Sequence, residues 1–370
     1  MKLPSIGFSA RSLMVVLICA LVLSGCTKDQ SAERAAVENI IEEVTYHTPK
    51  STVDKIYRSM EGPFHLDFVA MDPNDKGLIW ITGFKNTMIE GDSEKPLPQE
   101  YNCHTDVQLP KRNDPTAKAR RDVLFTLSQG QSEIRFPDGF GVPVGIDEPM
   151  SIGAQVLNLN SVPEEPFDVR HQVEFQFVRD GKAPMKPLMP AQIIGYKALG
   201  EDGSCYYDLK NPIVEEHGAG CLRGETVSQR NVVKDQLGNE FTSHWYVEPG
   251  REENSTLVTG HLGLEYDTTI HYISAHLHPF AEYAELRDLT TGETLFRSEV
   301  KQMDGKLGLD HVSHYSSEEG IPVYKDHQYQ LVSVYQNDTE EPQDAMVVFY
   351  IYLLDKKFSP QESNTLEVFE

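Results

Sequence analysis

The sequence predicts an all-β protein: two tandem antiparallel jelly-roll-like β-sandwiches, set behind a signal peptide and a short tether. Three observations carry that expectation. Apolar residues recur with period two over residues 173–178, 269–278, 329–335 and 346–354, which are rich in β-branched and aromatic side chains. The 22 prolines and 26 glycines are spread along the chain, as many turns require. Only residues 31–44 look helical, and they fall in the tether. The expected order is a signal peptide over 1–25, a lipid-anchored tether over 26–44, sandwiches over 45–188 and 189–358, and a tail over 359–370. The proline-rich stretch 182–190 reads as the hinge between the sandwiches.

At the N-terminus, Lys2 and Arg11 give a positive leader to the apolar run 13–23. That run is shorter than the roughly 20 residues a membrane-spanning helix needs. It closes on Leu23-Ser24-Gly25-Cys26, which resembles the bacterial lipobox. The resemblance implies cleavage before Cys26 and lipidation of its thiol. Thr27, rather than an aspartate, follows the cysteine. By similarity to lipoprotein sorting signals, this implies an outer-membrane lipoprotein facing the periplasm or the surface.

The formal net charge of −24, with 57 acidic residues against 33 basic ones, repels nucleic acid and anionic headgroups. Nucleic-acid binding is therefore excluded, and the membrane is met only through the lipid anchor. Of five cysteines, Cys19 leaves with the signal and Cys26 carries lipid. Cys205 and Cys221 flank a turn-rich segment and form a natural disulfide pair in an oxidising compartment. Cys103 is left over, as an inert buried thiol or a metal ligand.

Thirteen histidines are present, and they become denser after residue 260. On a strand, residues two apart share a face, so His276 and His278 present both imidazoles to one point. His271 has the opposite parity. Met346 opens another strand; a thioether beside two imidazoles selects copper over harder ions, although the core is the commoner place for a methionine. His311 and His314 have H-x-x-H spacing, consistent with an accessory metal site or with a loop carrying two exposed histidines. His327 is expected to pack or hydrogen-bond within its strand. Residues 287–293 read as a hairpin turn. The chain contains no Gly-x-Ser-x-Gly elbow, P-loop, His-Glu-x-x-His helix or Cys-x-x-Cys pair.

Several segments, taken in order, resemble the copper type II ascorbate-dependent monooxygenases, the family of peptidylglycine α-hydroxylating and dopamine β-monooxygenases. They are the glycine-rich turn at 136–145, Gln155-Val156-Leu157-Asn158-Leu159-Asn160, His276-Leu277-His278, the strand from Lys325 to Tyr335, and Met346. The resemblance covers roughly residues 60–355. It implies a catalytic copper held by His276, His278 and Met346, a reductant such as ascorbate, and hydroxylation of a small molecule or peptide by dioxygen. Tyr350 matches a substrate-contacting tyrosine. The family's first copper site is degenerate here: Cys103-His104 stands where adjacent histidines are expected, and Leu157 replaces a third. Ser274 replaces an arginine that clamps a substrate carboxylate. The rival expectations are a copper carrier without turnover and a surface structural or interaction lipoprotein.

Overall fold

The computed structural model describes residues 40–109, 122–199, 232–234 and 240–360. The chain divides into two compact units, Met1–Glu42 and Glu43–Glu370. Almost all of the first unit, with the segment read as a signal peptide and Cys26, lies outside the described residues; so do Cys205, Cys221 and residues 361–370. Among the described residues no helix is long and apolar enough to cross a membrane.

The second unit is all-β, two tandem antiparallel jelly-roll-like sandwiches that share one sheet. Across that ten-stranded sheet run, in order, Glu42–His47, Phe167–Arg179, Leu78–Glu90, Phe140–Gly145, Lys186–Ile194, Val347–Leu354, Thr268–Leu277 and Tyr315–Val323. Ser51–Val53 and Glu133–Arg135 pair alongside this path. The first four strands face a four-stranded sheet (Phe64–Val69, Met150–Val156, Asn102–Gln108, Val123–Ser128). Ile79, Phe84 and Phe175 of one layer meet Val107, Phe125 and Ile152 of the other in a single core. The last four face a five-stranded sheet (Gly250–Leu257, Tyr329–Asn337, Ala281–Asp288, Glu293–Gln302, Leu309–Val312) over a second core.

Val347–Leu354 explains how the halves are joined. Its sequence VVFYIYLL is apolar throughout rather than alternating, the mark of a strand buried on both faces. Val347, Phe349, Ile351 and Leu353 enter the C-terminal core. Val348, Tyr350 and Tyr352 enter the N-terminal one. The strand is thus a middle layer, and polar bonds fasten it: the Tyr352 hydroxyl donates to the carbonyl of Leu124 at 2.7 Å, and the Gln131 amide donates to the Tyr272 hydroxyl at 2.6 Å. The backbone N–H groups of Leu309 and Val312 donate to the Gln129 side chain and the Gly130 carbonyl.

Two sequence expectations are corrected. Only the first part of the stretch read as a hinge lies outside a strand; from Lys186 on it is paired: Lys186 and Pro187 pair with Phe140 and Gly141, and Leu188–Ile194 pairs with Val348–Leu354. The boundary at 188/189 falls inside it. Beyond Pro187 only one edge of this strand is paired, so a proline whose missing N–H faces the other edge removes no ladder bond. Prolines that suggested a break are therefore compatible with a ladder. The helical reading of 31–44 also fails where it can be inspected, because Glu42, Glu43 and Val44 are extended.

Candidate functional site

A cavity of about 530 Å³ opens between the two halves. His276, His278 and Asp344 line one side, and Cys103 and Leu157 line the other.

The H-x-H pair is placed by strand parity. His276 stands opposite Val348 in the ladder between Thr268–Leu277 and Val347–Leu354, and Val348 faces the N-terminal core. His276 therefore points the same way. His278 follows just beyond the strand end, with its ring centroid 5.1 Å from that of His276. The Tyr335 hydroxyl holds this end: it accepts from the N–H groups of His278 and Met346, both at 3.3 Å, and donates to the Met346 carbonyl. The chain then turns sharply through Pro279 and Phe280, with the Ala281 N–H returning to the His278 carbonyl. Phe280 sits at φ 71°, a conformation costly for a side-chain-bearing residue. Bonds from Phe280 N–H to Gln302 and from Gln336 N–H to the Phe280 carbonyl hold it there.

Asp344 supplies the charge. It lies on Gln343–Ala345, which pairs with Trp245–Val247, so the preceding His244 is brought beside it. Its carboxylate is 2.8 Å from Nδ1 of His278 and 3.6 Å from Nδ1 of His244. Burial alone would raise the Asp344 pKa, but the two imidazoles pull it far below the usual carboxylate range. A carboxylate at Nδ1 fixes the tautomer and leaves Nε2 as the donor, the arrangement typical of metal-bound histidine. Burial, then the charges of His278, His104 and His244, hold the His276 pKa well below its ordinary value against the pull of Asp344. Its imidazole is thus neutral, and its buried Nδ1 has no hydrogen-bond partner. A neutral imidazole with an unused nitrogen fits a metal such as copper.

Met346 lies two residues before Val348 and packs, half-buried, against the N-terminal core. It shares the sheet face of His276 but is not on the cavity wall. Among the described residues, no three or more His, Cys, Asp or Glu side chains are grouped so as to hold a metal ion. A metal at the imidazole pair needs the thioether as a further donor. Tyr350 is buried on the same face, opposite Ser274. His311 and His314 are exposed and away from the cavity, and the His314 ring stacks on Tyr272 at 5.3 Å. His327 lies in the turn before Tyr329–Asn337 rather than in a strand, and its Nδ1 is 2.6 Å from the Asp288 carboxylate.

On the opposite side, Cys103 is buried at a bulge in its strand. His104 has both ring nitrogens engaged: Asp106 is 2.7 Å from Nδ1, and Gln155 is 3.1 Å from Nε2. Burial would lower its pKa, but these partners raise it instead. Leu157 is on the cavity wall and adds no donor.

His171 is buried inside the N-terminal sandwich, where its Nδ1 is 3.1 Å from the Thr105 hydroxyl. Burial first, then the charges of His104 and His65, lower its pKa to about 3. An unfolded chain binds a proton there near pH 6.5 and the folded chain does not, so stability is lost as pH falls through that window, by about 1.4 kcal/mol per unit. In urea unfolding at pH 7 and pH 4.5, His171→Asn is expected to lose roughly 2 kcal/mol less on acidification than the wild type. Equal losses would remove His171 as the acid-sensitive group.

His244 and Asp344 escaped the sequence reading. Asp344 carries the one signal available, its period-two spacing from Met346; His244 reaches the site only through the pairing of two short strands.

Fold and site together define an all-β double sandwich with an imidazole–carboxylate cluster on an open cavity between its halves. No family model and no curated protein matches the chain. Among solved structures it is similar to PNGase F, a glycosylasparaginase from Flavobacterium meningosepticum, at 8% identity and a TM-score of 0.31, covering 85% of this chain and 97% of that one. It is also similar to the cowpea mosaic virus top component, at 8% identity and a TM-score of 0.32, covering 82% of this chain and 90% of that one. Likenesses this loose carry no argument about function.

Proposed function

We propose that this protein is an exported bacterial lipoprotein, anchored through Cys26 at the outer membrane, that binds one copper ion at His276, His278 and Met346 and oxidises a small molecule or exported peptide. The observation that supports this most is the placement of both imidazoles of the H-x-H pair on one cavity wall, with Asp344 at Nδ1 of His278. Met346 shares that sheet face, and its backbone is tied to His278 by one hydroxyl. Two imidazoles and a thioether suit Cu(I). Copper, when bound, supplies the dioxygen chemistry that C–H hydroxylation needs, with ascorbate or another reductant as electron source. The protein's own part is to hold the donors in one tautomer and to give a substrate room beside them.

The second reading, copper binding without turnover, has one specific observation in its favour. His104 is fully engaged by Asp106 and Gln155, and Leu157 offers no donor, so a second, electron-supplying copper has little to bind. Protein without its signal segment, loaded with Cu(I) and dialysed, is expected to retain about one copper per chain. Retention of none overturns both readings. Ascorbate-dependent oxygen uptake by the loaded protein favours the enzyme, and its absence favours the carrier.

A further inference from the structure

We propose that Phe64–Val69 is the docking edge for a second copy of this chain, paired antiparallel about a two-fold axis at Leu66. This inference is independent of the copper reading and of the cavity.

The end strands of the larger sheets differ in how they meet solvent. Glu42–His47 opens on Glu42 and Glu43, Gly250–Leu257 carries Arg251, Glu252 and Glu253, and Tyr315–Val323 carries Glu318, Glu319 and Pro322. Charges and proline at an open edge keep other strands from pairing with it. Val123–Ser128 is buried throughout, and Leu309–Val312 is tied to Gln129 and Gly130. Phe64–Val69 is different: its sequence FHLDFV has one acidic residue, Asp67, and no lysine, arginine or proline. Among the described residues its ladder is to Met150–Val156 alone.

Backbone and side chains agree on what this edge offers. The Val156 N–H donates to the Pro63 carbonyl at 3.0 Å. Antiparallel ladders alternate, so residues 63, 65 and 67 bond to Met150–Val156, and the N–H and C=O groups of Phe64, Leu66 and Phe68 face the open side. The same three residues turn their side chains away from the core that Val69 packs against. The Phe64 ring lies over Gly153, where a Cβ would meet it at 3.3 Å. Leu66 and Phe68 are 54% and 67% exposed, Phe68 more than any other large apolar side chain among the described residues.

The strand is also its own complement. Antiparallel pairing centred on Leu66 sets that residue opposite its copy, Phe64 opposite Phe68 of the second copy, and His65 opposite the second copy's Asp67. The His65–Ser51 bond of 2.8 Å uses Nε2 and leaves Nδ1 for that carboxylate. Aromatic and imidazole–carboxylate pairs directly opposite one another stabilise a ladder, and a two-fold axis closes the assembly at two chains.

The test is sedimentation equilibrium of the full chain in a density-matched detergent, over about 1–100 μM, where weak homodimers associate. Wild type is expected to pass from monomer to dimer, and Phe68→Lys to raise the midpoint concentration roughly tenfold or more. Register is read by cross-linking, which needs no lysine variant to fold. Leu66→Cys is expected to form a disulfide with its own copy under mild oxidation, because directly opposed Cα atoms in such a pair lie about 5.5 Å apart. Val162→Cys, at a loop position that is 62% exposed, is the control and is expected to stay reduced. A monomer throughout the range, a dimer indifferent to Phe68→Lys, or equal cross-linking at positions 66 and 162 overturns the proposal.

Discussion

His276→Ala is expected to abolish copper retention while leaving the metal-free fold as stable as before. The two halves of this result come from one observation. The His276 side chain is half-buried and its imidazole neutral, and its buried Nδ1 has no hydrogen-bond partner. A buried polar atom left unmet costs about 1–3 kcal/mol, so the folded protein carries that nitrogen at a loss unless something binds the ring. Removing the ring leaves a cavity but also removes the unmet nitrogen, and the two effects oppose each other. Removing a donor from a three-donor site costs more than the 10–100-fold that outer partners are worth. Asp344→Asn supplies the comparison: the amide still fits but no longer holds Nδ1 of His278 as a charged acceptor, and copper affinity is expected to fall within that 10–100-fold range. Competition titrations against a Cu(I) chelator read both variants, with urea unfolding of the metal-free proteins alongside. If metal-free His276→Ala loses more than about 2 kcal/mol, His276 is a core residue and the copper site is not there.

Tyr352→Ala is expected to destabilise the protein by about 3–5 kcal/mol, the range for removing a buried aromatic ring. Tyr352 sits in the middle layer, stacked on Phe125 with centroids 6.1 Å apart and packed edge-on against Phe136 at 4.7 Å and Tyr272 at 5.7 Å. Its hydroxyl donates to Leu124, and burial pushes its pKa well above the ordinary range, so it stays a donor at all working pH values. Tyr352→Phe removes only the hydroxyl and leaves the Leu124 carbonyl unmet, a loss of about 1–3 kcal/mol. Because the ring joins strands from both halves, the alanine variant is also expected to split the single urea transition into two. A loss below 1 kcal/mol, or two transitions already present in the wild type, would contradict the shared-sheet account.

The parts of the fold that sequence made legible are those governed by short-range periodicity. Strand parity alone put His276 and His278 on one face. The apolar run 347–354 announced a strand. What it could not announce was burial on both faces, which depends on a four-stranded sheet formed from residues 64–156. The hinge was misread for a related reason: Pro187 and Pro190 signal an interruption only where a ladder demands every N–H, and pairing is not visible in a single stretch. His244 and Asp344 lie 100 residues apart in the chain, and only the pairing of Trp245–Val247 with Gln343–Ala345 brings them together. Leu157 was legible as a missing donor. That His104 is already occupied was not, because Asp106 shares its strand but Gln155 comes from another.

The strand Lys186–Ile194 bears on how molecules come and go. A hinged pair of sandwiches could open to admit a guest and close around it. Here the same strand pairs with both halves, so neither can swing without tearing a ladder. The walls carrying Cys103 and His276 are tied together through that strand, and Ile56 and Glu341 are among the exposed residues of the lining. A cavity framed this way would sort guests by size at its rim rather than by a closing jaw.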